Sequence, residues 1–413
     1  MATSKSVFSL LLTLNAFSLL FVPHDCIDAN SLKVCKFDGI YNLGDSFSDT
    51  GNFIIENPAV PSAHFPYGKT FKKATGRCSN GLLMIDYIGI KRQQRDQLAT
   101  DNTVCKNFQA PLILDSFKKK KRKLYSFTES AGIPFLSPYL NKDALFVRGH
   151  GVNFAVAGAT ALPLNVPREK NNSSPFADSS LSVQLDWMST FFSNICFDHD
   201  DCVEKLKTGL FMVGEIGGND YNYPLIQGKT FEEVRSLVPK VVKAIKDAVT
   251  RVIGYGAVRV VVPGNFPIGC LPIYLTILHT NNSAHYDEFH CLKGLNTLST
   301  YHNDQLKLAI GDLIKENPNA VIVYGDYYNA FQSVYHNAAH LGFDAASVQK
   351  SCCGVGGAYD FTLENMCGGP DVTVCPNPDE RISWDGIHMT QKAYQKMAYW
   401  IINDILSKLN CKD

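Results

Sequence analysis

The chain has 413 residues, 45% of them hydrophobic and 19% charged, so it holds enough apolar material for a large buried core. Its 39 basic and 39 acidic residues cancel, which argues against a nucleic-acid partner, because such proteins carry a basic excess.

At the start, Lys5 precedes an apolar run over residues 7–22 that Ser9, Thr13, Asn15 and Ser18 interrupt, and the small Ala29 follows. That layout predicts a signal peptide over residues 1–29 rather than a membrane anchor, and entry into the secretory pathway, with the extracellular apoplast or the vacuole as destination. No later segment is suited to stable membrane insertion. In that oxidising compartment the thirteen cysteines are expected to form disulfides. The set Cys352, Cys353, Cys367 and Cys375 lacks a paired C-x₂-C spacing, so it reads as disulfide-pinned loops and no metal is expected there. Asn171, Asn172 and Asn281 stand in N-x-S sequons and are candidate glycan acceptors.

Apolar runs at residues 37–43, 152–156, 210–215, 257–263 and 320–324 are predicted strands. The last two are apolar on successive residues, as strands buried on both faces are. Helical spacing covers residues 231–253, 286–316 and 391–409. Strands alternating with helices predict a mostly parallel sheet flanked by helices, and no linker divides residues 30–413, so a single α/β domain is expected.

One segment departs from this pattern. Residues 89–128 hold ten Lys or Arg against three Asp, including an unbroken basic run over 118–123. Without it the chain would carry 29 basic and 36 acidic residues. If present in the mature protein, the segment is expected to loop out, since it lacks periodicity.

The first predicted strand runs into Gly44-Asp45-Ser46, followed by Asp49, Gly51 and Asn52, which places a serine at the carboxyl end of a sheet, where α/β proteins build sites. Near the other end, Asp385 stands three residues before His388. An acid at that spacing can reach Nδ1 of the histidine and leave Nε2 free to take a proton from a serine. Acyl chemistry also needs donors where the carbonyl oxygen becomes negative. The stretch ending at Gly158 and the Gly217-Gly218-Asn219-Asp220 stretch each lie at the end of a predicted strand and can supply them. No G-x-S-x-G occurs to offer a rival nucleophile.

Together these residues resemble the blocks of the plant-type GDSL esterase/lipase family of the SGNH hydrolase superfamily. The first block matches residues 43–52 with Ser46. The second matches Val152-Asn153-Phe154-Ala155 on to Gly158, the third Gly218-Asn219-Asp220, and the fifth Asp385 and His388. The resemblance implies a flavodoxin-like three-layer α/β/α fold with a mostly parallel central sheet. It also implies a Ser46-Asp385-His388 triad and an oxyanion hole of the Ser46 and Gly158 amides and the Asn219 side chain. The activity it implies is carboxylic ester hydrolysis without a cofactor, on a small-molecule ester, by a monomer. Family members run directly from a stretch like residues 85–88 into one like 129–134, so residues 89–128 read as a translated intron. Residues 57–61 and 72–87 resemble a subgroup acting on specialised plant metabolites, which suggests an acetylated or phenolic ester of small or medium acyl group. Two alternatives use the same fold: an acyltransferase working through the same Ser46 acyl-enzyme, and a non-catalytic glycan or metabolite binder.

Overall fold

The computed structural model describes residues 31–89, 133–143, 150–163 and 179–411. The signal-peptide reading, the basic segment beyond Gly89, and the sequons at Asn171 and Asn172 lie outside them. Asn281 lies within them and is exposed.

Five strands, β1 (Ile40–Leu43), β2 (Gly151–Asn153), β3 (Leu210–Val213), β4 (Arg259–Pro263) and β5 (Val321–Gly325), form one parallel sheet in the order β2-β1-β3-β4-β5. This is the flavodoxin-like order. Every residue of β1 and β3 is buried, as are Val260 to Val262 of β4, because helices cover both faces.

The helices that matter here are α1 (Asn52–Glu56), α2 (Met84–Gly89), α3 (Leu181–Ile195), α4 (Gly218–Ile226), α5 (Val238–Gly254), α6 (Lys293–Glu316), α7 (Tyr327–His336) and α8 (Gln391–Leu406). Helix α5 packs on both α3 and α6, and all three pack on the sheet. Helices α2, α7 and α8 form a second set on its other face. On α5, Val238, Val241, Val242, Ile245, Ala248, Val249 and Val252 are buried, the three-and-four spacing of an amphipathic helix. The three-layer α/β/α arrangement is therefore the one expected from the sequence. Among the described residues no helix is long and apolar enough to cross a membrane.

The elements differ from expectation at their ends. Residues 231–253 are not one helix but two. Thr230 caps Phe231–Arg235 through a capping box with Glu233, and the chain restarts at α5 because Pro239 in its first turn has no N–H to continue the earlier ladder. The helix expected from residue 286 begins at Lys293, since residues 286–292 close a loop through the Tyr286–Leu292 bridge and the Cys270–Cys291 disulfide. β2 ends at Asn153, yet Phe154 and Val156 still donate to Asn42 O and Gly44 O at 2.7 and 3.2 Å, keeping the chain alongside the end of β1.

Five disulfides join the described cysteines: Cys35–Cys411, Cys196–Cys202, Cys270–Cys291, Cys352–Cys375 and Cys353–Cys367. The C-terminal four thus pair as two disulfides. Cys78 is reduced and buried.

Candidate active site

β1 is followed in sequence by β2 on one side of it and then by β3 on the other, so the carboxyl ends of β1 and β3 flank a topological switch point. Ser46 lies there. Gly44 leaves β1 where a Cβ would stand 2.6 Å from Ser48 Oγ and 3.0 Å from Glu215 O, so a side chain there would displace Ser48. The amides of Ser48 and Asp49 then turn back onto Asp45 O at 3.1 and 3.0 Å, presenting Ser46 at the apex. Gln184 of α3 clamps the base of this turn, accepting from Gly44 N at 2.9 Å and donating to Gly44 O at 2.8 Å.

Asp385 and His388 sit on a hairpin-like turn closed by the Ser383–Met389 bridge and by Trp384 N donating to His388 O at 2.7 Å. Gly386 makes the turn possible: its φ of 95° is left-handed, and a Cβ there would strike the Phe361 ring at 2.2 Å. Asp385 Oδ1 accepts from the backbone of Ile387 and His388 at 3.0 and 2.7 Å, which brings Oδ2 to 2.8 Å from His388 Nδ1. His388 Nε2 is then 2.7 Å from Ser46 Oγ. Tyr67 donates a further hydrogen bond to Asp385 Oδ2 at 2.8 Å. Burial acts to raise the Asp385 pKa, but the neighbouring His388 and the donors around the carboxylate outweigh it and hold the group below the ordinary carboxylate range. The turn thus stores a carboxylate behind an imidazole whose free nitrogen faces a serine.

The opposite wall is the loop after β2. Asp49 ties it to the serine turn, accepting from Ala157 N at 2.8 Å as well as from the amides of Gly51, Asn52 and Phe53. From the other side α4 grips the same loop. Asn219 Nδ2 donates to Ala159 O at 2.9 Å, Tyr223 Oη donates to Gly158 O at 2.6 Å, and Asp220 accepts from Ala161 and Leu162 N at 2.8 and 3.0 Å. Burial raises the Asp220 pKa to about 6 despite those donors. The Ser46 and Gly158 amides have no acceptor among the described residues. Phe47 lies 5.4 Å from the His388 ring and 4.3 Å from Phe266, centroid to centroid, giving the site an aromatic side.

The structure therefore brings Ser46, Asp385 and His388 together, and joins Gly158 and Asn219 through one loop. Gln184 and Tyr223 were missed in the sequence; each is a single residue in no recognisable pattern, and only its contact reveals it. Asp49 carried a signal, its place in the serine block. The sequence has two further loops rich in aromatic residues and proline, 65–68 and 135–139, that could line a pocket or simply pack; Tyr67 of the first touches the site, whereas Tyr139 stacks on Trp187 and Phe135 packs edge-on to Phe71. Among the described residues no group of three or more His, Cys, Asp or Glu is arranged to hold a metal ion.

A family model described as GDSL-like Lipase/Acylhydrolase matches residues 40–401. Acetylajmalan esterase of Rauvolfia serpentina is 40% identical over 382 residues, covering 92% of this chain and 88% of that protein. A GDSL esterase/lipase of Arabidopsis thaliana is 50% identical over 260 residues, 63% of this chain and 79% of that protein. Sinapine esterase of Brassica napus is 38% identical over 394 residues, 93% and 90% respectively.

Proposed function

The chain belongs to the GDSL-like lipase/acylhydrolase family and is a carboxylic ester hydrolase, and on that premise we propose that Ser46 is its nucleophile within a Ser46-His388-Asp385 triad. The observation that carries this reading is the 2.7 Å contact of His388 Nε2 with Ser46 Oγ, backed by Asp385 on Nδ1. A buried Asp-His pair aimed at a serine has little structural reason to exist unless the proton of the serine is to be moved.

In the mechanism His388 Nε2 takes the Ser46 proton as Oγ attacks the ester carbonyl. The oxygen that becomes negative is received by the amides of Ser46 and Gly158, with Asn219 Nδ2 as the third donor through the hydrogen that otherwise makes the long 3.4 Å contact with Asp45 Oδ2. His388 then returns the proton to the leaving alcohol, and water, deprotonated by the same nitrogen, releases the acid from Ser46. Asp385 holds the imidazole in the tautomer with hydrogen on Nδ1 and balances the charge it gains.

The substrate we infer is a small-molecule ester of a specialised plant metabolite, acetylated or phenolic. Two relatives similar over nine-tenths of this chain are named for such esters, and the Phe47 ring lies beside that of His388. The enzyme would work as a monomer, glycosylated and without a cofactor, in the apoplast or vacuole. The leading apolar run and the five disulfides support a secretory route.

The test is hydrolysis of p-nitrophenyl acetate and butyrate by the secreted protein and by a folded Ser46→Ala variant. A fall in kcat of at least about a thousandfold is expected, and equal rates would end the reading.

A further inference from the structure

Glu215 follows β3 by one glycine and is 2% exposed; no well-formed hydrogen bond reaches its carboxyl oxygens, whose polar neighbours are the Gly218 amide and the Asp45 carboxyl. It lies against the first turn of α4, since a Cβ built on Gly218 would stand 3.5 Å from Oε1 and 3.8 Å from Oε2. The charged group that acts on it most strongly is Asp45, the neighbour of Ser46. The two are also linked through the backbone, Asp45 N donating to Glu215 O at 3.2 Å. Asp45 is 1% exposed, accepts from Phe47 N at 3.0 Å on Oδ1, and receives Asn219 Nδ2 at a long 3.4 Å on Oδ2.

Two carboxylates buried side by side cannot both ionise. One keeps its proton, and the donors decide which. Asp45 accepts a well-formed bond from Phe47 N at 3.0 Å, and no N–H reaches Glu215 with comparable geometry. We propose that Glu215 is a positioning residue: as a neutral acid it donates to Asp45 and fixes the carboxylate that orients the Asn219 amide and the turn bearing Ser46. This rests on the reading of Ser46 as nucleophile and Asn219 as an oxyanion donor. Burial pushes the proton affinity of both carboxyls up, that of Glu215 furthest, in keeping with the division of roles. The other groups facing Glu215 are Asp220 and Tyr221 of α4, Tyr274 and Tyr327, and His388 faces Asp45.

The experiment compares Glu215→Leu and Glu215→Gln in the full secreted chain, reading kcat, KM and pH profile on p-nitrophenyl butyrate. Ser46 is titrated in every protein with a fluorophosphonate. Leucine removes the donor, and kcat should fall by at least about tenfold with KM little changed. Glutamine keeps a donor that cannot ionise. It should recover most of the loss, and should also keep its activity at alkaline pH where the wild type declines as Glu215 loses its proton. Leucine at the wild-type rate, or glutamine and leucine equally impaired, would overturn the inference. Should the leucine variant not fold, the glutamine profile decides alone: an alkaline limb the same as the wild type's overturns it. A wild type whose Ser46 is not labelled would instead remove the nucleophile reading, and this inference with it.

Discussion

Tyr67 Oη and His388 Nδ1 share one acceptor, each standing 2.8 Å from Asp385 Oδ2, with Tyr67 reaching it from 318 residues away in sequence. The phenol is buried, and the neighbouring carboxylate adds to burial in keeping its proton on well above the ordinary pH of loss. It therefore donates throughout the working range and anchors the carboxylate while His388 gains and loses charge. Tyr67→Phe removes one hydrogen bond to a charged group, a loss of about 1.5 to 3 kcal/mol. We expect kcat/KM to fall by roughly ten- to a hundredfold, mostly in kcat, with the fold retained by circular dichroism.

Asn219→Ala tests the third oxyanion donor. Loss of one such donor costs about 3 to 4 kcal/mol of transition-state stabilisation, so kcat should drop by about a hundred- to a thousandfold while KM moves little. A fall confined to KM would place the amide on the ground-state substrate instead. The same substitution removes the bond to Ala159 O, so Tyr223→Phe serves as a control for loosening of the loop alone.

Stability should depend on pH through His302. The residue is fully buried on α6, where Tyr221 Oη lies 2.7 Å from its Nδ1 and Nε2 has no partner, and burial lowers its pKa to about 3. The unfolded chain takes up a proton at ordinary histidine pH and the folded chain does not. Its contribution is therefore fully present above about pH 6.5 and is lost as pH falls towards 3, at up to about 1.4 kcal/mol per pH unit. Urea denaturation of the wild type and of a His302→Leu, Tyr221→Phe double variant should show this slope in the wild type alone. Asp45 and Asp220 act in the other direction, because their folded pKa values are raised and their contribution fades as pH rises through about 6 to 7. The difference between the two proteins isolates the histidine.

Residues 90–128 should be dispensable. Gly89 O accepts from Ile133 N at 2.6 Å, so the chain leaves and re-enters the described structure at one point. Joining Gly89 directly to Glu129 puts Ile133 five positions beyond Gly89. That is the spacing of the six-to-one bond in a Schellman helix end, a motif that favours glycine at the preceding position, which in sequence is Gly132. The sequence reading set the boundary at residue 89, but Gly89 is the last residue of α2 and belongs to the helix. The deletion variant is expected to fold, with Tm and esterase activity at or above those of the full chain. Aggregation or loss of activity would show that the segment is needed.

Much of the fold was legible because its physics is local. Buried parallel strands such as β4 are runs of Val, and the Asp385-x-x-His388 and Gly44-Asp45-Ser46 spacings carry their own geometry. Helix α3 has buried Leu181, Leu185, Met188 and Phe192 at helical spacing, a pattern present in the sequence but passed over beside the stronger motifs. Helix α4 was harder, since Pro224 lies inside it and its first turn was read only as a motif. The partners of Tyr67, Gln184 and Glu215 were not legible at all. Their contacts span the chain, and nothing near them in sequence marks the residue they will meet. Disulfide pairing was hidden for the same reason: Cys35 and Cys411 are 376 residues apart and only the closed fold sets their Cα atoms 4.6 Å from each other.

That last bond gives the molecule an unusual covalent outline. Ser46 lies between Cys35 and Gly89, whereas Asp385 and His388 lie between Ile133 and Cys411. A single cut anywhere between Gly89 and Ile133, for instance after the basic run at 118–123, would leave a short chain bearing the serine and a long chain bearing the acid and the histidine, still tethered through Cys35–Cys411. On a denaturing gel such a nicked protein would run as one species without reductant and as two with it, whereas in the folded state the packing of β1 between β2 and β3 holds the two chains together beside the disulfide.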